Sequence, residues 1–190
     1  MNKIAIFASG NGTNAQRITE YFNDKDNVEI TLILSNNKDA FVMERAKKLN
    51  VPSIIFDRDD FYNSDKVFDI LALREIDFIV LAGFLWLIPL NILKKFHNRI
   101  INIHPALLPK FGGKGMYGDK VHKAVIENKE TETGISIHFV NEKYDEGKII
   151  FQSKFNIEID DTPDSIAQKI HQLEYEHFSR VIEEVVMEMK

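Results

Sequence analysis

Cysteine is absent from this 190-residue chain, which removes disulfides, zinc–thiolate sites and cysteine nucleophiles. No basic run occurs either, and 24 Lys and Arg against 29 Asp and Glu leave a net charge of −5. Nucleic acid is not an expected partner, because phosphate binding needs clustered cations. No apolar run approaches the roughly 18 residues that a membrane helix requires. No signal peptide precedes the first strand-like segment, Lys3–Phe7. The expectation is a cytoplasmic protein without a membrane partner. Glycine is sparse, and four of the nine residues (Gly112, Gly113, Gly115 and Gly118) crowd into one stretch. That stretch reads either as an ordinary surface loop or as a mobile lid over a site.

What the chain does contain is alternation. Lys3–Phe7, Val28–Leu34, Ser53–Phe56, Phe78–Leu81 and Arg99–Ile103 are short runs rich in Ile, Val, Leu and Phe. Between them, Asn14–Phe22, Ala40–Leu49, Asp65–Leu73 and Pro89–Phe96 carry helical spacing. Buried strands alternating with helices predict a parallel sheet covered on both faces. Beyond residue 130, Gly134–Val140 and Lys148–Ile157 read as two strands joined by a turn at Asn141–Gly147. A helix over Thr162–Met189 follows, with Thr162 as cap and Pro163 in its first turn. The expected fold is one α/β domain over residues 1–190: a Rossmann-like three-layer sandwich, mostly parallel, with a C-terminal antiparallel strand pair and a long final helix.

Asn102 and His104 interrupt the otherwise apolar run that follows Arg99. On a strand, residues two apart share a face, roughly 6.5–7 Å apart along the chain. An amide and an imidazole are thus presented together, and Pro105 ends the ladder. The pair suits a developing oxyanion and a moving proton, although a core histidine beside a turn-capping asparagine gives the same pattern. Ser9-Gly10-Asn11-Gly12-Thr13-Asn14-Ala15 opens the first helix, where free N–H groups favour a phosphate. Its spelling also fits the dinucleotide fingerprint. The second strand, however, runs into Ser35-Asn36-Asn37 with no acid for a ribose, so a simple phosphate is preferred. Asp145, in the acidic turn 141–147, is a candidate partner of His104 if that turn folds over the same sheet edge. His138 alternates on its strand and is a further candidate to face the site. His97, His122, His171 and His177 read as surface or packing residues. The segment from Ala82 to Pro89, containing Trp86, reads as core or as a slot for a flat ring.

Ser-Gly-Asn-Gly-Thr-Asn at 9–14, Leu-Ala-Gly-Phe at 81–84, Asn-Ile-His-Pro-Ala-Leu-Leu-Pro at 102–109, and Asp145 with Gly147 together resemble the phosphoribosylglycinamide formyltransferase family. The resemblance covers nearly the whole chain. It implies 10-formyltetrahydrofolate as co-substrate, a glycinamide ribonucleotide as acceptor, no metal, and a role in purine biosynthesis. It further implies that Gly12, Thr13 and Asn14 hold the acceptor's phosphate and Glu174 its ribose. Leu85, Trp86, Leu87 and Ile88, with Tyr144 and Asn102, would contact the folate. Asn102, a protonated His104 and Asp145 would be catalytic. The expected partners are small molecules, and the expected assembly is a monomer or homodimer. Two departures stand out: Trp86 replaces a basic residue found in many members, and the 110–122 loop differs from familiar versions. A tRNA-directed formyltransferase and a formyltetrahydrofolate hydrolase share the triad, but the resemblance associates each with an additional domain. A non-catalytic phosphate-binding module is the alternative of another class.

Overall fold

The computed structural model describes residues 1–189. Five parallel strands come first: β1 (Asn2–Phe7), β2 (Val28–Ser35), β3 (Ser53–Ile55), β4 (Phe78–Leu81) and β5 (Ile100–His104). Two antiparallel strands, β6 (Glu132–Phe139) and β7 (Ile149–Asn156), complete a seven-stranded sheet. The order across it is β3-β2-β1-β4-β5-β6-β7. The helices are α1 (Thr13–Phe22), α2 (Val42–Lys48), α3 (Lys66–Leu73), α4 (Leu90–Lys95), α5 (Asp119–Glu127) and α6 (Pro163–Glu188). Two features go beyond the sequence expectation. Residues 119–127 form a helix that begins inside the 110–122 stretch read as loop, and Asp59–Asn63 form a π-helical turn.

Strand alternation sets the layers. In β1, Ile4 and Ile6 enter the core beneath α1 and α6, while Ala5 and Phe7 enter the opposite core beneath α3 and α4. That second core is aromatic: Phe7, Phe56, Phe61 and Phe84 meet at ring-centroid separations of 4.9–6.2 Å. At the start of α6, the Thr162 side chain accepts from the Ser165 N–H, and the Ser165 hydroxyl accepts from the Thr162 N–H. This reciprocal cap satisfies two amides that the helix leaves open. No helix among the described residues is long and apolar enough to cross a membrane.

Two features position the site. The strand order reverses between β1 and β4, and ligands of open α/β sheets collect beyond the strands' carboxyl ends at such a point. The Ser136 hydroxyl, fully buried on β6, accepts from Leu108 N–H and donates to Ala106 C=O, which ties the segment after β5 to the sheet.

The layered core generates a stability prediction. Phe178 of α6 is 1% exposed, whereas Leu73 of α3 is 83% exposed. Phe178→Ala should cost about 3–5 kcal/mol in urea unfolding, and Leu73→Ala no more than about 0.5 kcal/mol. Similar losses in the two variants would contradict the assignment of α6 to the core.

Candidate active site

A cleft of about 360 Å³ lies beyond the carboxyl ends of β1, β4 and β5. The glycine loop, Asn102, His104, Tyr144, Asp145 and Glu174 all line it. The topology thus brings together segments separated by most of the chain.

Asp145 is the hub. Its backbone is left-handed, φ 56°, a conformation that Asp tolerates better than most residues. One carboxylate oxygen, Oδ2, accepts from the Gly113 N–H at 2.9 Å. The other, Oδ1, lies 3.6 Å from His104 Nδ1, 3.6 Å from His138 Nε2 and 3.5 Å from Asn102 Nδ2. Two glycines permit this approach. A Cβ on Gly147 would stand 1.6 Å from the Phe139 carbonyl oxygen, and one on Gly112 would press on Leu108 and on Asp145 Cβ. The glycine stretch therefore has a fixed role at its start, where it hydrogen-bonds the carboxylate.

The two histidines are oriented by backbone carbonyls. His138 Nδ1 donates to its neighbour Phe139 C=O at 2.8 Å, which leaves Nε2 to accept from Asn102 Nδ2 at 3.1 Å. The amide of Asn102 is thereby aimed, with its second N–H only weakly engaged at Asp145. His104 Nε2 donates to Phe111 C=O at 2.8 Å, so Nδ1 faces Asp145 without a hydrogen bond. Burial depresses the His104 pKa, and the opposing influences of Asp145 and of the Phe111 carbonyl do not restore it. The imidazolium expected from charge pairing is thus not the favoured resting state, because desolvation disfavours it more than Asp145 favours it. Asp145 is itself pushed up by burial, yet His138, His104 and the Gly113 N–H carry it below its usual value. It remains a carboxylate.

At the other end of the cleft, Gly12 caps α1 with φ 75° and no side chain in the way. A Cβ there would meet Val42 Cγ2 at 2.3 Å, so α2 also demands glycine at this position. Asn14 Nδ2 donates to Glu174 Oε2 at 2.9 Å, which joins the glycine loop to α6. Two of the histidines read as surface or packing residues sit here. His171 Nδ1 lies 3.0 Å from Glu174 Oε2 and His122 is buried in the cleft wall. Arg45 was not singled out by sequence; its guanidinium holds Asn11 through the backbone oxygen at 2.8 Å and Oδ1 at 2.6 Å. Its place in α2, 34 residues from Asn11 in sequence, hides it: helix packing rather than spacing brings it back.

The 85–88 segment divides. Leu85 lines the cleft, whereas Leu87 and Ile88 line a separate shallow groove with Phe61 and Tyr62. Trp86 packs on Phe56, Phe61, Tyr62 and Phe84, with the Arg58 guanidinium 4.9 Å above its ring. The indole belongs to the aromatic core and not to the wall of the cleft. An apolar segment without clear periodicity does not reveal which side chains turn inward.

The hub generates an electrostatic prediction. In an NMR titration His104 should titrate below its ordinary 6.5, and Asp145→Asn should lower it further by removing the charge that favours the imidazolium. Below pH 6.5 protonation should therefore destabilise the fold, more steeply in the variant. An unchanged or raised His104 pKa in Asp145→Asn would contradict the coupling.

Comparison with known proteins identifies the family. The formyl transferase family model matches residues 2–182. The phosphoribosylglycinamide formyltransferase of Bacillus subtilis is 34% identical over 191 residues, covering 98% of this chain and 95% of that protein. The chloroplastic phosphoribosylglycinamide formyltransferase of Arabidopsis thaliana is 40% identical over 186 residues, and the match covers 95% of this chain. The chain spans only 64% of that longer relative. The crystal structure of the Bacillus halodurans phosphoribosylglycinamide formyltransferase superposes with a TM-score of 0.89 at 32% identity, covering 100% of this chain and 97% of that one. With the family model matched over residues 2–182 and these relatives alike over nearly the whole chain, this chain belongs to the formyl transferase family.

Proposed function

We propose that the chain transfers the formyl group of 10-formyltetrahydrofolate to the amine of 5-phosphoribosylglycinamide, a step of purine biosynthesis. The observation that carries this reading is the Asn102–His104–His138–Asp145 cluster at one end of a cleft whose other end is an open helix N-terminus. One end suits acyl transfer and the other suits a phosphate. The similarity to phosphoribosylglycinamide formyltransferases supports the choice of substrates.

In this reading the phosphate of the acceptor meets the N–H groups of Gly12, Thr13 and Asn14, and its ribose meets Glu174. The donor enters beside Leu85 and Tyr144. Trp86, Leu87 and Ile88 support that wall from behind. Small molecules are the only partners required, and no step calls for a metal.

The acceptor's neutral amine attacks the formyl carbon and forms a tetrahedral oxyanion carrying a positively charged nitrogen. Asn102 donates its weakly engaged N–H to the oxyanion. Neutral His104 takes the proton shed by the amine at Nδ1, its free nitrogen, and Asp145 stabilises the imidazolium that results. The same proton then passes to the folate nitrogen as its bond to the formyl carbon breaks. Asn102 and the transient imidazolium act where charge develops, so their contribution is greatest in the transition state.

Purified protein supplied with both substrates should consume donor only when the ribonucleotide is present. Donor consumption independent of the ribonucleotide would indicate hydrolysis and contradict the assignment. His104→Ala should lower turnover by roughly 10²–10⁴ with the fold intact. Near-normal turnover in that folded variant would remove His104 from the mechanism.

A further inference from the structure

His122 lies on α5 and is 4% exposed, yet its ring forms part of the cleft wall. Its Nδ1 is sealed from solvent and has no hydrogen-bond partner among the described residues. Nε2 is the ring's other polar atom and is not sealed in this way, so it is the nitrogen that reaches the cleft. A buried N–H without an acceptor is among the rarest features of folded proteins, and an unpaired lone pair is tolerated more often. The proton of the neutral ring therefore belongs on Nε2.

The surroundings keep the ring neutral. Burial is the dominant influence and lowers its pKa, with His171 on α6 and His104 on β5 acting in the same sense. Asp119 on α5 and Glu174 on α6 oppose that shift without overcoming it. The cleft thus contains a fixed, uncharged donor within electrostatic reach of both the transfer centre at His104 and the polar end at Glu174.

We propose that His122 is an acceptor-binding residue, its Nε2–H donating to the amide carbonyl oxygen of the glycinamide arm. This assignment rests on the formyl-transfer reading above. An acceptor stretched from Glu174 to His104 places one carbonyl oxygen between its ribose and its amine. An uncharged donor matches that uncharged oxygen, and it leaves the neighbouring His104 free to become the only imidazolium at the centre. The lone pair left on Nδ1 is the compromise that fixes the donor's direction.

The test compares His122→Phe, which keeps the ring and removes both nitrogens, with His122→Asn, which retains a donor. In His122→Phe the KM for glycinamide ribonucleotide should rise roughly 3- to 10-fold, the worth of one neutral hydrogen bond. The larger part of the lost efficiency should lie in that KM and not in kcat, the KM for the folate donor should be unchanged, and His122→Asn should recover part of the loss. An unchanged acceptor KM in the folded variant, or equal rises in both KM values, would overturn the assignment. Long-range ¹H–¹⁵N spectra of the unsubstituted protein supply a second test that needs no variant. The proton should be found on Nε2, and a proton on Nδ1 would overturn the proposal. Unsubstituted protein that shows no ribonucleotide-dependent transfer defeats the functional reading. Normal transfer combined with an indifferent His122→Phe defeats only the His122 assignment.

Discussion

A single carboxylate stands where two strands and two loops of this protein meet. Asp145 Oδ1 is within 3.6 Å of two imidazoles and within 3.5 Å of the Asn102 amide, while Oδ2 holds the Gly113 N–H. Burying a charge is costly unless it is paired and hydrogen-bonded, and the Gly113 and Asn102 N–H groups offset part of that cost, with the imidazoles contributing only when protonated. The same requirement explains the surrounding backbone. The turn must approach β6 closely enough to need Gly147, and the glycine stretch must approach the turn closely enough to need Gly112. Remove the carboxylate, and neither approach has an electrostatic reason.

The hub also divides labour between chemically similar groups. Both histidines donate one ring N–H to a backbone carbonyl, but the remaining nitrogens face different partners. His138 uses its nitrogen to orient Asn102, and His104 leaves its nitrogen free beside Asp145. Burial keeps His104 neutral until a proton is available, which suits a group that must first accept and then release one.

Much of the layout was legible in the residues. β1, β2, β4 and β5 are short apolar runs because both of their faces are covered, and period two placed Asn102 and His104 on one face. The acidic turn was recognisable as a partner only through the rule that ligands gather at the strands' carboxyl ends. Other features were hidden for physical reasons. α5 starts directly after the glycine stretch, whose composition masks the helix start. His122 and His171 lie on helices whose inward faces depend on how α5 and α6 meet. The ionisation of His104 is a matter of desolvation, which no local pattern records. Trp86 stands among apolar residues, and only packing decides that its ring joins Phe56 and Phe61.

The central claim is that Asp145 and His104 act as one unit in formyl transfer, and a double-mutant cycle addresses it most directly. Ribonucleotide-dependent turnover would be measured for His104→Ala, Asp145→Ala and the double variant, each shown to be folded. Groups that act as a unit are strongly non-additive. The account predicts that the double variant loses little more activity than the worse of the two single variants. Losses that multiply, as for independent sites, would contradict it.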